Sequence, residues 1–164
     1  MEQVISFTKT KLEHGWLGNM SPFPIVFNGV EWRTSEALFQ SLRFKDKDIQ
    51  EAIRAEKSPM SAKFVMKANK VSITTEPHSV KDVRNMKMCL KLKLEAHPEL
   101  KTLLLETGEL VIIEDVTKRG DVGGNLFWGA MLVENENGFH WVGKNTLGRL
   151  WMEIRTELKN KNND

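Results

Sequence analysis

Glu36, Gln40 and Arg43 fall at i, i+4 and i+7 of the segment WRTSEALFQSLRF, residues 32–44. In a helix that spacing places a carboxylate, an amide and a guanidinium along one stripe. The neighbours Leu38, Phe39, Leu42 and Phe44 cover much of the remaining circumference. A helix so widely apolar belongs inside a fold, and a buried carboxylate must be paired or used. The stripe therefore predicts a carboxylate lining a pocket; a solvent-facing Glu–Arg ion pair would leave the same pattern.

Two other segments carry possible site chemistry. In GGNLFWGA, 123–130, Gly123 and Gly124 would let backbone approach a ligand, and Phe127 and Trp128 offer faces for a base. An ordinary glycine turn beside a buried aromatic reads the same way. In GKNTLG, 143–148, Lys144 precedes a helix start whose free N–H groups and dipole suit a phosphate. The glycine spacing of a P-loop is absent, so a simple capped helix is the competing explanation. Lys81, Arg84, Lys87 and Lys91 form a basic edge, which suits either a solvated helix face or a surface tracking a nucleic-acid backbone. His14, His78, His97 and His140 show no metal-ligand spacing, and no nucleophile elbow surrounds any serine, so neither a metal site nor a serine triad is expected. Cys89, the single cysteine, lies between Met88 and Leu90 and reads as a buried thiol.

The elements that must position these groups follow from periodicity and punctuation. The 164 residues, 40% hydrophobic and 28% charged with a net charge of +2, suit one soluble domain, residues 1–158, with a polar tail at 159–164. No apolar run approaches the ~20 residues of a membrane span, and the first residues lack a signal peptide's apolar core, which together predict a cytoplasmic location. VISF at 4–7 reads as a strand, and IVFNGVEW as a hairpin turning at Asn28-Gly29. Thr34 or Ser35 caps the helix bearing Glu36, and further helices are expected at 46–57, from Ser58-Pro59 onward, at about 79–96 and from Pro98 to Glu106. ELVIIED is a strand, LFWGAMLV and FHWVG flank ENENG as a second hairpin, and Asn145 or Thr146 caps a closing helix. The class is α+β: a mainly helical single domain with two or three short antiparallel hairpins.

Taken in order, LGNMSPFPIVFNGVEW, TSEALFQ, SPMSAK, LKLEAHPEL, LLLETG, FWG, GKNTLG and LWMEIRTEL resemble the NADAR family over nearly the whole chain. The resemblance implies an N-glycosidase that cleaves a ribosyl–amine bond on a nucleotide-like substrate, with no cofactor and no metal. One class of members releases ADP-ribose from guanine in DNA; another hydrolyses ribosylated intermediates of riboflavin synthesis. The family glutamate corresponds to Glu36, its tryptophan to Trp128 and its closing-helix asparagine to Asn145. YbiA-like members read TSEHYFQAQKF and WGD; here Ala37, Arg43 and Ala130 stand in place of the histidine, lysine and aspartate, and Pro77 in place of a tryptophan. The combination EALFQ, LRF, SPMSAK and FWGA is more similar to the ADP-ribosyl-guanine branch.

On that resemblance Glu36 would stabilise the sugar cation or activate water. Lys63, in a helix otherwise apolar through Phe64, Val65 and Met66, would be partly buried, its pKa lowered, and could capture an opened ribose as an imine; a lysine snorkelling from a helix edge is the plainer alternative. Gln40 shares the Glu36 stripe. Arg43, Lys144 and the helix start at Asn145 would hold a diphosphate, Trp128 would stack on a base or shape the ribose site, and Asn19 would bond sugar hydroxyls. The expected partner is ADP-ribosylated DNA or an ADP-ribose-like nucleotide, bound by a monomer or weak oligomer away from any membrane. A nucleotide reader without catalysis is the rival from another class.

Overall fold

A computed structural model of the chain describes residues 3–163. In chain order the elements are β1 (Val4–Phe7), β2 (Ile25–Phe27), β3 (Val30–Trp32), α1 (Ser35–Ser41), α2 (Lys47–Ala55), α3 (Pro59–Ala68), α4 (Val80–Ala96), α5 (Glu99–Glu106), β4 (Val111–Glu114), α6 (Asn125–Trp128), β5 (Met131–Asn135), β6 (Gly138–Val142) and α7 (Thr146–Asn162). Helices dominate the described residues and the strands are short, which is the mainly helical α+β class read from the sequence. Among the described residues no helix is long and apolar enough to cross a membrane. The chain divides into two compact units, one continuous from Asn19 to Pro98, the other built from residues up to Gly18 and from Glu99 onward.

The continuous unit begins with the Asn28-Gly29 hairpin. Both turn residues take positive φ, 51° and 74°, as a two-residue turn matched to strand twist requires. Ile25 sits opposite Trp32 and both are buried. Thr34 caps α1 by accepting from the Ala37 N–H at 3.2 Å; Asp46, Ser58 and Ser79 cap α2, α3 and α4 in the same manner. All seven residues of α1 are buried, and α2, α3 and α4 pack around it. The helical pattern that suggests continuation to Phe44 stops at Ser41. The Arg43 carbonyl is taken by the N–H groups of Thr74 and Thr75, at 2.8 and 3.1 Å, so the chain leaves the helix to meet that loop.

The discontinuous unit is organised on α7 and a pair of strands. β1 and β4 run parallel, with Val4 opposite Val111 and Phe7 opposite Glu114. This parallel pair stands beside the antiparallel hairpins expected, β2–β3 and β5–β6. Parallel partners need a long connection, and residues far apart in sequence leave no turn signal to announce them. α7 packs on β4 and α5. Its Trp151 is fully buried and donates from Nε1 to the Leu17 carbonyl at 3.0 Å. Segment LFWGAMLV splits into the helical turn α6 and strand β5, because Gly129 and Ala130 run against the end of β4: Ala130 N–H donates to the Glu114 carbonyl at 2.9 Å and its own carbonyl accepts from Val116 at 2.9 Å. The β5–β6 hairpin then pairs Met131 with Val142.

Gly148 lies where α7 meets β4, and a methyl there would collide with the Ile112 carbonyl and the Asn145 side chain. Backbone on one side and a bonded amide on the other cannot yield cheaply. Gly148→Ala is expected to destabilise the protein by about 1–3 kcal/mol, read as a lower urea midpoint at unchanged m-value.

Candidate active site

Glu36 enters in the first turn of α1 and is 7% exposed. Its two oxygens are each held by a neutral amide. Gln40 Nε2, one turn on, donates to Oε1 at 2.7 Å. Asn19 Nδ2, from the loop before β2, donates to Oε2 at 3.0 Å and lies 3.4 Å from Met86 Sδ. Asn19 is held in turn at the start of α1: its backbone carbonyl accepts from the Glu36 N–H at 3.0 Å and from Ser35 Oγ at 3.0 Å, and Ser35 Oγ also contacts Asn19 Oδ1. The i, i+4 spacing of Glu36 and Gln40 thus works as the sequence suggests, with the amide steadying the acid.

Arg43 continues the stripe, but the guanidinium turns to Asp82 of α4. Nε donates to Oδ1 at 3.0 Å and Nη2 to Oδ2 at 2.8 Å, a bidentate pair with Asp82 fully buried. Nη1 reaches Gln40 Oε1 at 3.4 Å, and the guanidinium carbon lies 4.8 Å from the centre of the Phe39 ring. Asp82 Oδ2 also accepts from the His78 N–H at 2.8 Å. A relay therefore runs Asn19–Glu36–Gln40–Arg43–Asp82, entirely inside the continuous unit. Asp82, Ser35 and Met86 carry no mark as site residues in the sequence. Asp82 had one signal: it stands three residues after the cap Ser79, where an acid reaches back toward the helix start.

The buried face of α4 is a stripe of Asp82, Met86, Cys89 and Lys93, joined by Leu90 and Leu94. Cys89 is the buried thiol expected; burial pushes its pKa up, with the nearby Glu36 charge adding to the effect. Lys93 is fully buried, donates to Ser21 Oγ at 2.7 Å, and burial holds its pKa down at about 7. Lys63, on α3, is half-buried. The basic edge of Lys81, Arg84 and Lys91 is exposed, with Lys87 half-buried.

The other predicted residues lie in the discontinuous unit. Trp128 ends α6, half-buried, its ring edge-on to Phe127 at 4.9 Å between centroids. Lys144 is exposed, its Nζ 5.4 Å from the centre of the Phe127 ring, and its N–H donates to the Leu126 carbonyl at 2.7 Å. Asn145 precedes α7 yet does not cap it with its side chain. Its φ of 51° turns the amide toward β4, where Nδ2 donates to the Ile112 carbonyl at 2.8 Å and Oδ1 accepts from the Glu114 N–H at 3.0 Å. Asn145 is thus a clamp between helix start and strand end. Its N–H meets the Gly129 carbonyl at 3.0 Å, which brings Trp128, Lys144 and Asn145 into one neighbourhood. Ala130, the residue after the Trp128-Gly129 pair, is buried at 2% exposure, so that place holds no acid. Among the described residues no group of three His, Cys, Asp or Glu could hold a metal ion.

Two outcomes follow from the buried charges. Asp82→Ala leaves Arg43 buried without its carboxylate and is expected to cost about 3–5 kcal/mol of unfolding free energy in urea titration. Lys93 has a folded pKa of about 7 against an ordinary 10.5, so between these values only the unfolded chain keeps the proton. Below about pH 7 both states are protonated and the full cost of burying the ammonium stands; as pH rises to 10.5 that cost disappears. Stability from Lys93 should therefore rise over this window, and the rise should be missing in Lys93→Met.

The NADAR domain family matches residues 6–159. The chain is 33% identical to N-glycosidase YbiA of Escherichia coli (strain K12) over 157 residues, 96% of this chain and 89% of the relative. It is 26% identical to N-glycosidase Npun_R5314 of Nostoc punctiforme, over 95% of this chain and 93% of that protein. Riboflavin biosynthesis protein VVA0006 of Vibrio vulnificus is 30% identical over 97% of this chain, which spans 40% of that longer protein. The NMR structure of E. coli YbiA superposes with a TM-score of 0.77 at 31% identity, covering 100% of this chain and 90% of the other. With the family model matching residues 6–159, nearly the whole length, and a fold like that of E. coli YbiA, the chain belongs to the NADAR family.

Proposed function

We propose that this protein is an N-glycosidase that hydrolyses the bond between ribose C1 and a nucleobase amine, and that its substrate is ADP-ribosylated guanine in DNA. The observation that carries the reading is the setting of Glu36: a buried carboxylate whose two oxygens are aimed by Gln40 and Asn19, both neutral donors. Neutral amides satisfy its hydrogen bonds without setting a cation directly against it, which leaves the carboxylate to act on a ligand. The named N-glycosidases among its relatives support the reaction class.

Breaking the C1–N bond builds positive charge on the sugar ring. Glu36 would stabilise that charge and accept a proton from the attacking water, whose oxygen bonds to C1; the departing base nitrogen ends protonated. Gln40 and Asn19 hold the carboxylate through the step. Arg43 is engaged by Asp82, so it acts here on Gln40. Within the discontinuous unit, taken by itself, Lys144, the start of α7 and Trp128 would offer contacts for a phosphate and a base. The alternative route runs through Lys63: the ribose ring opens to a C1=N bond with the base nitrogen, and the Lys63 amine adds to C1. The C1–N bond to the base breaks and the base amine leaves with a proton. Water then hydrolyses the lysine imine to release the C1 aldehyde and the free lysine.

The guanine preference rests on EALFQ, LRF, SPMSAK and FWGA, and on Ala37, Ala130 and Pro77 in place of the YbiA-like groups. The Vibrio relative named for riboflavin biosynthesis favours a second substrate, a ribosylated aminopyrimidine nucleotide. Incubation with an ADP-ribosylated oligonucleotide, and separately with the pyrimidine nucleotide, distinguishes them. Glu36→Gln is expected to lower release by about 100-fold or more. Borohydride added during turnover should trap an adduct lost in Lys63→Ala if the imine route operates; turnover without an adduct assigns the reaction to water alone. Tight binding with no release from either substrate would mark a nucleotide reader.

A further inference from the structure

Asn19 aims Glu36, and what aims Asn19 is the loop that carries it. That loop, residues 19–24, contains Pro22 and Pro24 and is no regular element. It is fastened at both ends. At Asn19 the backbone and side chain meet Ser35 and Glu36. At Pro24 the carbonyl pairs with His97 Nε2 at 2.7 Å, and the Phe23 ring stands edge-on to His97 at 5.1 Å. Between them Ser21, itself buried, accepts from Lys93 Nζ at 2.7 Å, and the same ammonium lies 5.2 Å from the centre of the Phe23 ring.

We propose that Lys93 is a positioning residue for the glycosidase reaction, acting through Ser21 to hold the 19–24 loop so that the Asn19 amide stays on Glu36 Oε2. The proposal rests on the reading of Glu36 as the reacting carboxylate. Three observations carry it. Lys93 sits on the same buried stripe of α4 as Asp82 and Met86, which touch the relay at Arg43 and Asn19. Its contact lies two residues from Asn19, too close in chain for one to move without the other. A fully buried lysine is an expensive way to fill that space, since methionine has similar length and no charge to desolvate. Burial holds the Lys93 pKa near 7, so the group pays for its place in stability.

The test uses Lys93→Met and Ser21→Ala in the full chain, with two readouts. The first is the NMR signal and hydrogen exchange of the Asn19 side-chain amide. The second is kcat and KM on an ADP-ribosylated guanine oligonucleotide. Both variants are expected to shift the Asn19 amide and speed its exchange, and to lower kcat about tenfold with KM within about twofold, since the loss falls on the transition state. The double variant should be no slower than the slower single, because both act through one contact. An Asn19 amide left in place in folded Ser21→Ala overturns the proposal, as does a displaced amide with unchanged kcat. Should Lys93→Met fail to fold, Ser21→Ala still decides. Should the unaltered protein release nothing from the oligonucleotide, the substrate reading falls, while the Asn19 amide still reports on the Lys93–Ser21 linkage; unaltered turnover in Glu36→Gln would remove the catalytic carboxylate and this proposal with it.

Discussion

A carboxylate taken out of water must find donors, and the continuous unit is arranged around that requirement. Glu36 lies in a helix whose every residue is buried, so solvent cannot supply its hydrogen bonds. Two amides do. Each amide then needs its own orientation fixed, and the demand passes outward: from Gln40 to Arg43 to Asp82 on one side, and from Asn19 to Ser35 and the 19–24 loop on the other. The chain ends in charged groups that are themselves buried. In a low-dielectric interior each member left unpartnered would cost more than its bond returns in water, so the network holds as a unit or not at all.

Helix α4 is where both branches terminate. Its buried stripe offers Asp82 to the guanidinium, the Met86 sulfur to Asn19, and Lys93 to Ser21, at positions one turn or two apart. An amphipathic helix ordinarily presents leucines there. This one interrupts its apolar face with an acid at one end and a base at the other, and each fixes a segment that touches the acid of α1. The basic residues that attract notice in the sequence, Lys81, Arg84 and Lys91, lie on the exposed side.

Much of the local structure was legible because its causes are local. Asn28-Gly29 dictates its turn, Ser58-Pro59 its helix start, and the Glu36–Gln40 spacing its hydrogen bond. What could not be read depends on residues distant in sequence. The β1–β4 pairing joins two strands with no shared turn, and its parallel sense has no signature in either. The buried face of α4 takes in Asp82 and Lys93 beside its apolar residues, and nothing near them in sequence announces that Arg43 and Ser21 are their partners. Asn145 illustrates the same limit. Its type and position promise a cap, and the left-handed backbone sends the amide to β4 instead. The family resemblance identified Glu36 and Asn145 together, but only the fold separates their surroundings: Glu36 is held between two amides, and Asn145 ties a strand to a helix.

The interleaving of the two units has a consequence for how the molecule is made. Residues 19–98 contain every partner in the Glu36 relay, and all of them have been synthesised before β4 begins at Val111. Strand β1, made first, has no partner until then. A nascent chain can therefore complete the polar relay while its opening strand is still an unpaired edge, and the wait for closure falls on the segment least able to protect itself from mispairing.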